Sequence, residues 1–385
     1  MKSIGAVVLI LILSGCSFLQ KYNNKDDFKK LQLEKKWARS TLNEDYLGYR
    51  AHHRMSPIVT KDFIIQGNAV DGLVAYDRQT VHKLWRLNIK NGVEAGGVIY
   101  KDNLYFGASD SYFYCVNYFT GQIQWSFPIL SEGLGRPFVR DGVVYFVSGN
   151  NVGYALDAGS GRQLWLHNRK DSSALSIRGG SQPNVYQDKV FMAFSDGYLV
   201  ALNRTTGQVI WERLLNHNRR FNDIDSQPVI YKGKIYLTGF DSALYAIDPN
   251  TGNTLWRYDE GGFSRPYVDD ETVIYATTNS SVVALERDSG KKKWEYKLKQ
   301  GLATSPVEYK GMIIFGQSEG ALKVVSKREG KELVEFNPIR GVSAEPVVKD
   351  FNDRLGNLYI MTREANLIAL DLNWKKVSEK WHWEE

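Results

Sequence analysis

Cysteine is nearly missing from this chain. Two occur in 385 residues, Cys16 and Cys115, which excludes a disulfide-stapled scaffold. Histidine is also sparse. The six (His52, His53, His82, His167, His217 and His382) stand nowhere at metal-ligand spacing except in the adjacent pair His52-His53, whose side chains need not point the same way. There is no Gly-x-Ser-x-Gly, no phosphate-cradling glycine loop and no cysteine with a histidine suited to activate it. No catalytic constellation and no cofactor are therefore expected. Long apolar runs are absent too: the only stretch, Ile4 to Leu13, is too short to cross a bilayer as a helix. The formal net charge of +6 is mild and spread along the chain, without the dense basic run that nucleic acid would require.

What the chain has instead is a repeat. Gly121 to Trp125, Gly161 to Trp165, Gly207 to Trp211, Gly252 to Trp256 and Gly290 to Trp294 all fit Gly-x-x-x-Trp. Trp85 shares the frame with Val81 in the glycine slot, and Gly330 to Val334 is a degenerate copy. Successive tryptophans lie 40, 40, 46, 45 and 38 residues apart. In β-rich sequence such a period means one propeller blade per repeat, because a single repeat cannot bury its own faces. Within Gln227 to Trp256, β-branched and aromatic runs at Val229 to Tyr231, Lys234 to Thr238 and Ala243 to Ile247 precede a fourth around Leu255-Trp256. Turn chemistry separates them: Lys232-Gly233, Phe240-Asp241-Ser242, and Asp248 to Gly252. In the last of these the Asp carboxylate caps the turn and the glycine takes the left-handed conformation. The same turn recurs at Asp157, Asn203, Glu286 and Asn117. Acidic residues such as Asp110 and Asp241 fall on hairpin tips. The expected fold is an all-β, eight-bladed β-propeller of four-stranded antiparallel blades.

The count of eight comes from a proline near the start of each innermost strand: Pro57, Pro137, Pro183, Pro228, Pro266, Pro306 and Pro346, with Gly97-Val98 in the slot of blade 2. Two segments compete for the outermost strand of blade 8. One is Leu33-Glu-Lys-Lys-Trp37, which resembles Lys291-Lys-Lys-Trp294; the other is Lys375 to Trp383. The N-terminal segment is favoured, since it closes the ring without leaving a free ring edge, and the tail then reads as an extra strand or a loosely packed extension.

Leu13-Ser14-Gly15-Cys16 resembles the bacterial lipobox, in which a small residue precedes a cysteine that receives lipid. The expected organisation is a signal peptide over 1–15, a tether over 16–32 with lipidated Cys16, and the propeller over 33–385. Ser17 rather than an aspartate follows the cysteine, so outer-membrane anchoring on the periplasmic side is expected. Cys115, in Phe113-Tyr-Cys-Val, reads as a buried apolar residue.

Loop lengths then mark one face of the ring. The gap from outer-strand Trp to the next blade-start Pro is 12, 10 and 12 residues at Trp125, Trp256 and Trp294, but 18 at Trp165 and 17 at Trp211. These two consecutive insertions are neighbours on one face, the usual place for a binding site in a repeat protein. Leu175, Ile177 and Arg178 in the first, with Asp223 and Asp225 in the second, form a protein-recognition patch. Arg178 pairing with the aspartates merely to order the two loops is the competing reading. A third long gap, from Trp37 to Pro57, carries Tyr46-Leu-Gly-Tyr-Arg50 and His52-His53.

The propeller from 33 to 371 resembles the repeats of quinoprotein dehydrogenases. Ala174-Leu-Ser-Ile-Arg-Gly179 and Arg220-Phe-Asn-Asp-Ile-Asp225 are similar to the interface loops of the BamB family, lipoprotein subunits of the outer-membrane β-barrel assembly (BAM) complex. That resemblance implies a non-catalytic scaffold whose loops bind a periplasmic POTRA domain of BamA, with Leu175, Ile177, Arg178, Asp223 and Asp225 as contacts. It also implies a role in folding and inserting β-barrel proteins. Free blade edges additionally offer strand addition to unfolded outer-membrane proteins. Gly180, where an acidic residue is common, the missing blade 7 tryptophan and the tail from Asn373 depart from the family pattern. Two other classes stay open. One is a lipid-anchored propeller with a cell-wall or secretion partner. The other is a quinoprotein enzyme, whose vicinal Cys-Cys pair this chain lacks.

Overall fold

The computed structural model describes residues 29–43, 53–169, 180–215, 223–240, 242–351 and 356–376, and every regular element among them is a strand. The strands form eight four-stranded antiparallel sheets, one per blade, arranged as an eight-bladed propeller. Blade 5 consists of Val229–Tyr231, Lys234–Thr238, Leu244–Ile247 and Thr254–Tyr258 from the axis outward. This departs from the sequence expectation by a single residue. Each innermost strand starts within two residues of the blade-start proline, as in Phe138–Arg140 after Pro137 and Val307–Tyr309 after Pro306. Proline suits that place because it lacks a ladder donor and holds the chain extended.

The ring is closed by the N-terminal strand. Lys29–Ser40 pairs with Asn366–Lys376, the third strand of blade 8, in a register running from Lys29↔Lys376 to Ser40↔Asn366. Its identity as an outermost strand is visible in its bulge. In blades 1 to 6 the register slips by one residue just before the tryptophan, at Leu84, Gln124, Leu164, Ile210, Leu255 and Lys293. In Lys29–Ser40 it slips at Lys36, just before Trp37. Two expected boundaries move. The strand begins at Lys29, four residues inside the segment assigned to the tether. Trp374, Lys375 and Lys376 continue the third strand rather than starting an outer one.

Adjacent blades are locked by the signature residues. The indole of each outer-strand tryptophan in blades 1 to 6 lies on the turn glycine of the following blade. A Cβ on Gly161 would stand 2.6 Å from the Trp125 ring, and one on Gly207 2.7 Å from Trp165. The indole N–H donates to a carbonyl of the same turn: Trp125 to Ala158 (3.1 Å), Trp165 to Arg204 (3.0 Å) and Trp294 to Lys327 (2.8 Å). These glycines also carry positive φ, 72° at Gly161 and Gly207, so two constraints select glycine at one position. The turns are capped as their composition implies: Asp157 Oδ1 accepts from Gly159 N, Ser160 N and Ser160 Oγ.

Three sites vary the scheme. Val334 replaces tryptophan in blade 7 and packs with Leu31, Leu322 and Leu358 in an aliphatic cluster. At the closing seam Val81 occupies the glycine slot at φ 59°. There the Arg78 guanidinium lies 4.0 Å over the Phe351 ring. Cys115 is fully buried, and burial pushes its thiol up to about 11, in keeping with a packing role.

The lock can be separated from the turn. Gly142 also has positive φ, 77°, but a Cβ there meets nothing within 4 Å. Gly142→Ala is expected to cost about 1 kcal/mol of backbone strain, and Gly161→Ala about 2–4 kcal/mol. Urea unfolding midpoints compare the two, and equal losses would show that the indole contact contributes nothing.

Candidate functional site

One face of the ring collects the outer-to-inner connections together with the hairpins between second and third strands. At its centre lies a cavity of about 900 Å³. One residue from every blade lines it, the one preceding the blade-start proline or its glycine equivalent: Ser56, Gly96, Arg136, Gln182, Gln227, Arg265, Ser305 and Glu345. Two residues earlier a second layer includes Arg54, Glu94, Leu134, Asp225 and Phe263. The alternation follows from the two-residue period of extended chain. Residues between the layers turn away and staple the blades: Ser181 Oγ donates to Ser226 O (2.8 Å) and Ser226 Oγ to Ser264 O (3.2 Å). Below, a second void of about 280 Å³ lies among the innermost strands, and Ser56, Gly96, Arg136 and Glu345 line both.

Charges cross this space. Arg265 of blade 6 reaches Glu345 of blade 8 through two hydrogen bonds, 2.6 and 3.4 Å, the forked geometry that suits guanidinium and carboxylate. Arg340–Glu364 (2.9 Å) and Arg363–Glu319 (3.5 Å) pair at the rim.

Leu175, Ile177 and Arg178 lie outside the described residues, as do His52, Tyr46 to Arg50, Asp241 and Cys16. The stems of both insertions, however, are described, and both are fixed. Arg169, the last described residue before the first insertion, is clamped by blade 4: Asp196 at 2.6 Å, Glu212 at 2.7 Å and the Tyr198 ring at 4.3 Å. The chain returns at Gly180, where a Cβ would lie 2.5 Å from Gly135 N. Ahead of the second insertion Leu215 is buried, its N–H on Gly197 O (2.9 Å) and its carbonyl taking the Tyr245 hydroxyl. It ends in Asp223, Ile224 and Asp225. The Ser181–Ser226 hydrogen bond ties the two return stems together.

The sequence reading offered Asp223 and Asp225 as surface contacts, and the structure places them differently from one another. Asp223 is fully buried, and its carbonyl accepts from Phe240 N (3.2 Å). Ile224 is core. Asp225 is half-buried on the cavity wall. Burial first, and then the nearby Asp223 carboxylate, push its carboxyl up to about 7, with Arg54 acting in the opposite direction. His53 is buried, its Nδ1 accepting from Ala69 N (3.1 Å). Among the described residues no His, Cys, Asp or Glu cluster is arranged to hold a metal ion. The layer before the prolines, Arg136 above all, was missed by sequence reasoning, although the prolines mark it: every charged residue standing immediately before a blade-start proline faces the axis.

These features define an eight-bladed propeller of the quinoprotein-repeat class, with a charged axial cavity beside two anchored insertions. The family model described as outer membrane protein assembly factor BamB matches residues 70–296 and 240–380, and the chain belongs to that family. It is 27% identical to the outer membrane protein assembly factor BamB of Yersinia pestis over 93% of this chain and 98% of that one. The crystal structure of BamB from Moraxella catarrhalis superposes with a TM-score of 0.74, covering 88% of this chain and 100% of that one at 20% identity. A quinoprotein ethanol dehydrogenase of Pseudomonas aeruginosa is 34% identical, but over 83 residues, 20% of this chain and 13% of that one. The sequence likeness to that enzyme is thus confined to a short run of repeats.

The raised pKa of Asp225 carries a sign. A carboxyl that holds its proton more tightly in the folded state adds stability below its unfolded pKa and loses it as pH rises through about 7. Asp225→Asn is expected to raise the thermal midpoint by about 2–4 °C at pH 8 and by clearly less at pH 5. Identical shifts at both pH values would contradict the raised pKa.

Proposed function

We propose that this protein is a scaffold of outer-membrane protein assembly, held at the outer membrane by lipid on Cys16 and docking a periplasmic POTRA domain of BamA through its two insertions. Membership of the BamB family supports the assembly role. The observation that carries the docking face is the pair of fixed stems. The Arg169 clamp and the Ser181–Ser226 bond bring two consecutive insertions out side by side on one rigid face. Rigid presentation of short loops lowers the ordering cost of binding. The loops themselves supply Leu175 and Ile177 as apolar anchors and Arg178 as a charged one, the composition of an interface centre. Asp225 stands at the edge of that face. The fully buried Asp223 acts by shaping the second loop rather than by touching the partner. The propeller does no chemistry in this reading; it orients the domains that receive unfolded barrel proteins.

Affinity capture of the tagged chain from gently solubilised membranes tests the partner. BamA is expected with the wild type. Arg178→Glu should weaken the complex by about 2–4 kcal/mol, and the double variant Arg178→Glu, Asp225→Lys should abolish capture while the propeller melts as the wild type does. BamA retained by the folded double variant would remove the proposed face, and BamA absent even with the wild type would remove the partner. Cys16→Ser should shift the chain from the membrane to the soluble periplasmic fraction, because an acylated terminus supplies the stable anchor. Continued sedimentation of that variant with outer membranes would argue against lipid as the attachment.

A further inference from the structure

Among the described residues, Arg136 is the cavity arginine held in place without a partner for its fork. Its stem lies on Gly96 of the neighbouring blade. A Cβ at Gly96 would stand 3.0 Å from Arg136 Cδ and 3.1 Å from Cγ, so any larger residue crowds the side chain. Its Nε donates to Gly97 O at 3.2 Å. Blade 2 is the blade with Gly-Gly in the place of a residue and proline, and this packing uses both features. The two terminal nitrogens make no hydrogen bond or ion pair among the described residues. Glu345, whose charge acts on Arg136, is already engaged through both oxygens by Nε and Nη2 of Arg265. Protein around Arg136 disfavours its charge, Glu345 offsets part of that, and Arg265 adds to it. Arginine nevertheless stays protonated. A guanidinium fixed at two points, charged, and lining the axial cavity with both Nη atoms open is a preformed receptor for a planar two-oxygen anion.

The surroundings narrow the ligand. Phe240 and Phe263, with ring centroids 6.3 Å apart, line the same cavity, together with Leu134 and Ile339. Ile339 is 86% exposed and sits at φ 77°, a backbone conformation that a β-branched residue adopts only under strain. Acidic Glu94, Asp225 and Glu345 line the wall as well, which disfavours a dianion such as phosphate. The volume of about 900 Å³ is that of a small-molecule site. From these we infer that the axial cavity binds a small organic monoanion, its carboxylate held by the fork of Arg136 and its apolar body set against Phe240, Phe263 and Ile339. The cavity wall includes Gly180 and Asp225, where the two insertions return, while the anion-holding fork belongs to Arg136 alone.

The test uses the full chain in lipid nanodiscs and 4-fluorobenzoate as the probe, followed by ¹⁹F NMR at pH 7.4. Saturable binding is expected. It should weaken at least tenfold in Arg136→Gln and at least tenfold for the neutral 4-fluorobenzamide on the wild type, while a large excess of inorganic phosphate should leave the probe bound. Arg136→Gln is used only if its thermal unfolding matches the wild type; the amide comparison needs no variant and stands alone. No saturable binding, equal binding of the amide, or an undiminished signal in Arg136→Gln would each overturn the proposal. Displacement by phosphate at concentrations matching the probe would overturn the assignment to a carboxylate.

Discussion

The whole ring depends on an indole resting against a bare Cα. A four-stranded blade has two faces to bury and no means of burying them alone. The outer-strand tryptophan solves this by reaching past its own sheet to the turn of the next one, where it covers a glycine and donates to a carbonyl. The contact is apolar and directional at once. Burial of the ring favours association, and the N–H bond fixes how far one blade is rotated against the next. Repetition of one such contact sets the pitch of the ring. The seams that lack it are substituted in kind, by aliphatic packing between blades 7 and 8 and by Arg78 on Phe351 where the ring closes.

This explains why so much of the fold was legible. Gly-x-x-x-Trp is a spacing along the chain, but its two members contact different blades, so the motif records both ends of a repeating interface. The prolines recorded the strands at the axis. Even ring closure was visible in Lys-Lys-Trp of the N-terminal segment, because an outermost strand with the same bulge carries the same local sequence. What the sequence could not supply was direction at right angles to the chain. Asp223 and Asp225 are alternate residues in one acidic-looking loop. One is fully buried beside Ile224 and the other faces the cavity, a distinction made by blade 5 packing against the loop from outside. The Arg265–Glu345 pair joins residues 80 apart, and no local pattern indicates that the starts of two blades, separated by a third, meet at the axis. The extents of the first and last strands were misjudged for a related reason: the polar run from Lys29 is held by its partner strand, not by its own propensity.

The face with the insertions and the opposite face differ in kind. On one, turns headed by Asp, Asn, Glu or Ser repeat with little change, since most must receive an indole. On the other, no lock constrains the connections, and they vary in length, charge and strain. Variation is tolerated where the ring does not need uniformity, which is why the cavity charges, the exposed Ile339 and both insertions share that side. Scaffold and specificity are separated by the thickness of one blade.

Closure by the N-terminal strand has a mechanical consequence. Twelve residues lie between Cys16 and Lys29, a span of roughly 45 Å at full extension. With lipid on Cys16, as proposed above, drag on the ring would be transmitted straight into Lys29–Ser40 along its own axis. A strand pulled lengthwise against an antiparallel neighbour loads its cross-strand bonds together rather than one after another. The twelve-residue strand, the longest among the described residues, would then stand where the tension enters, and its length is suited to a joint stressed in shear.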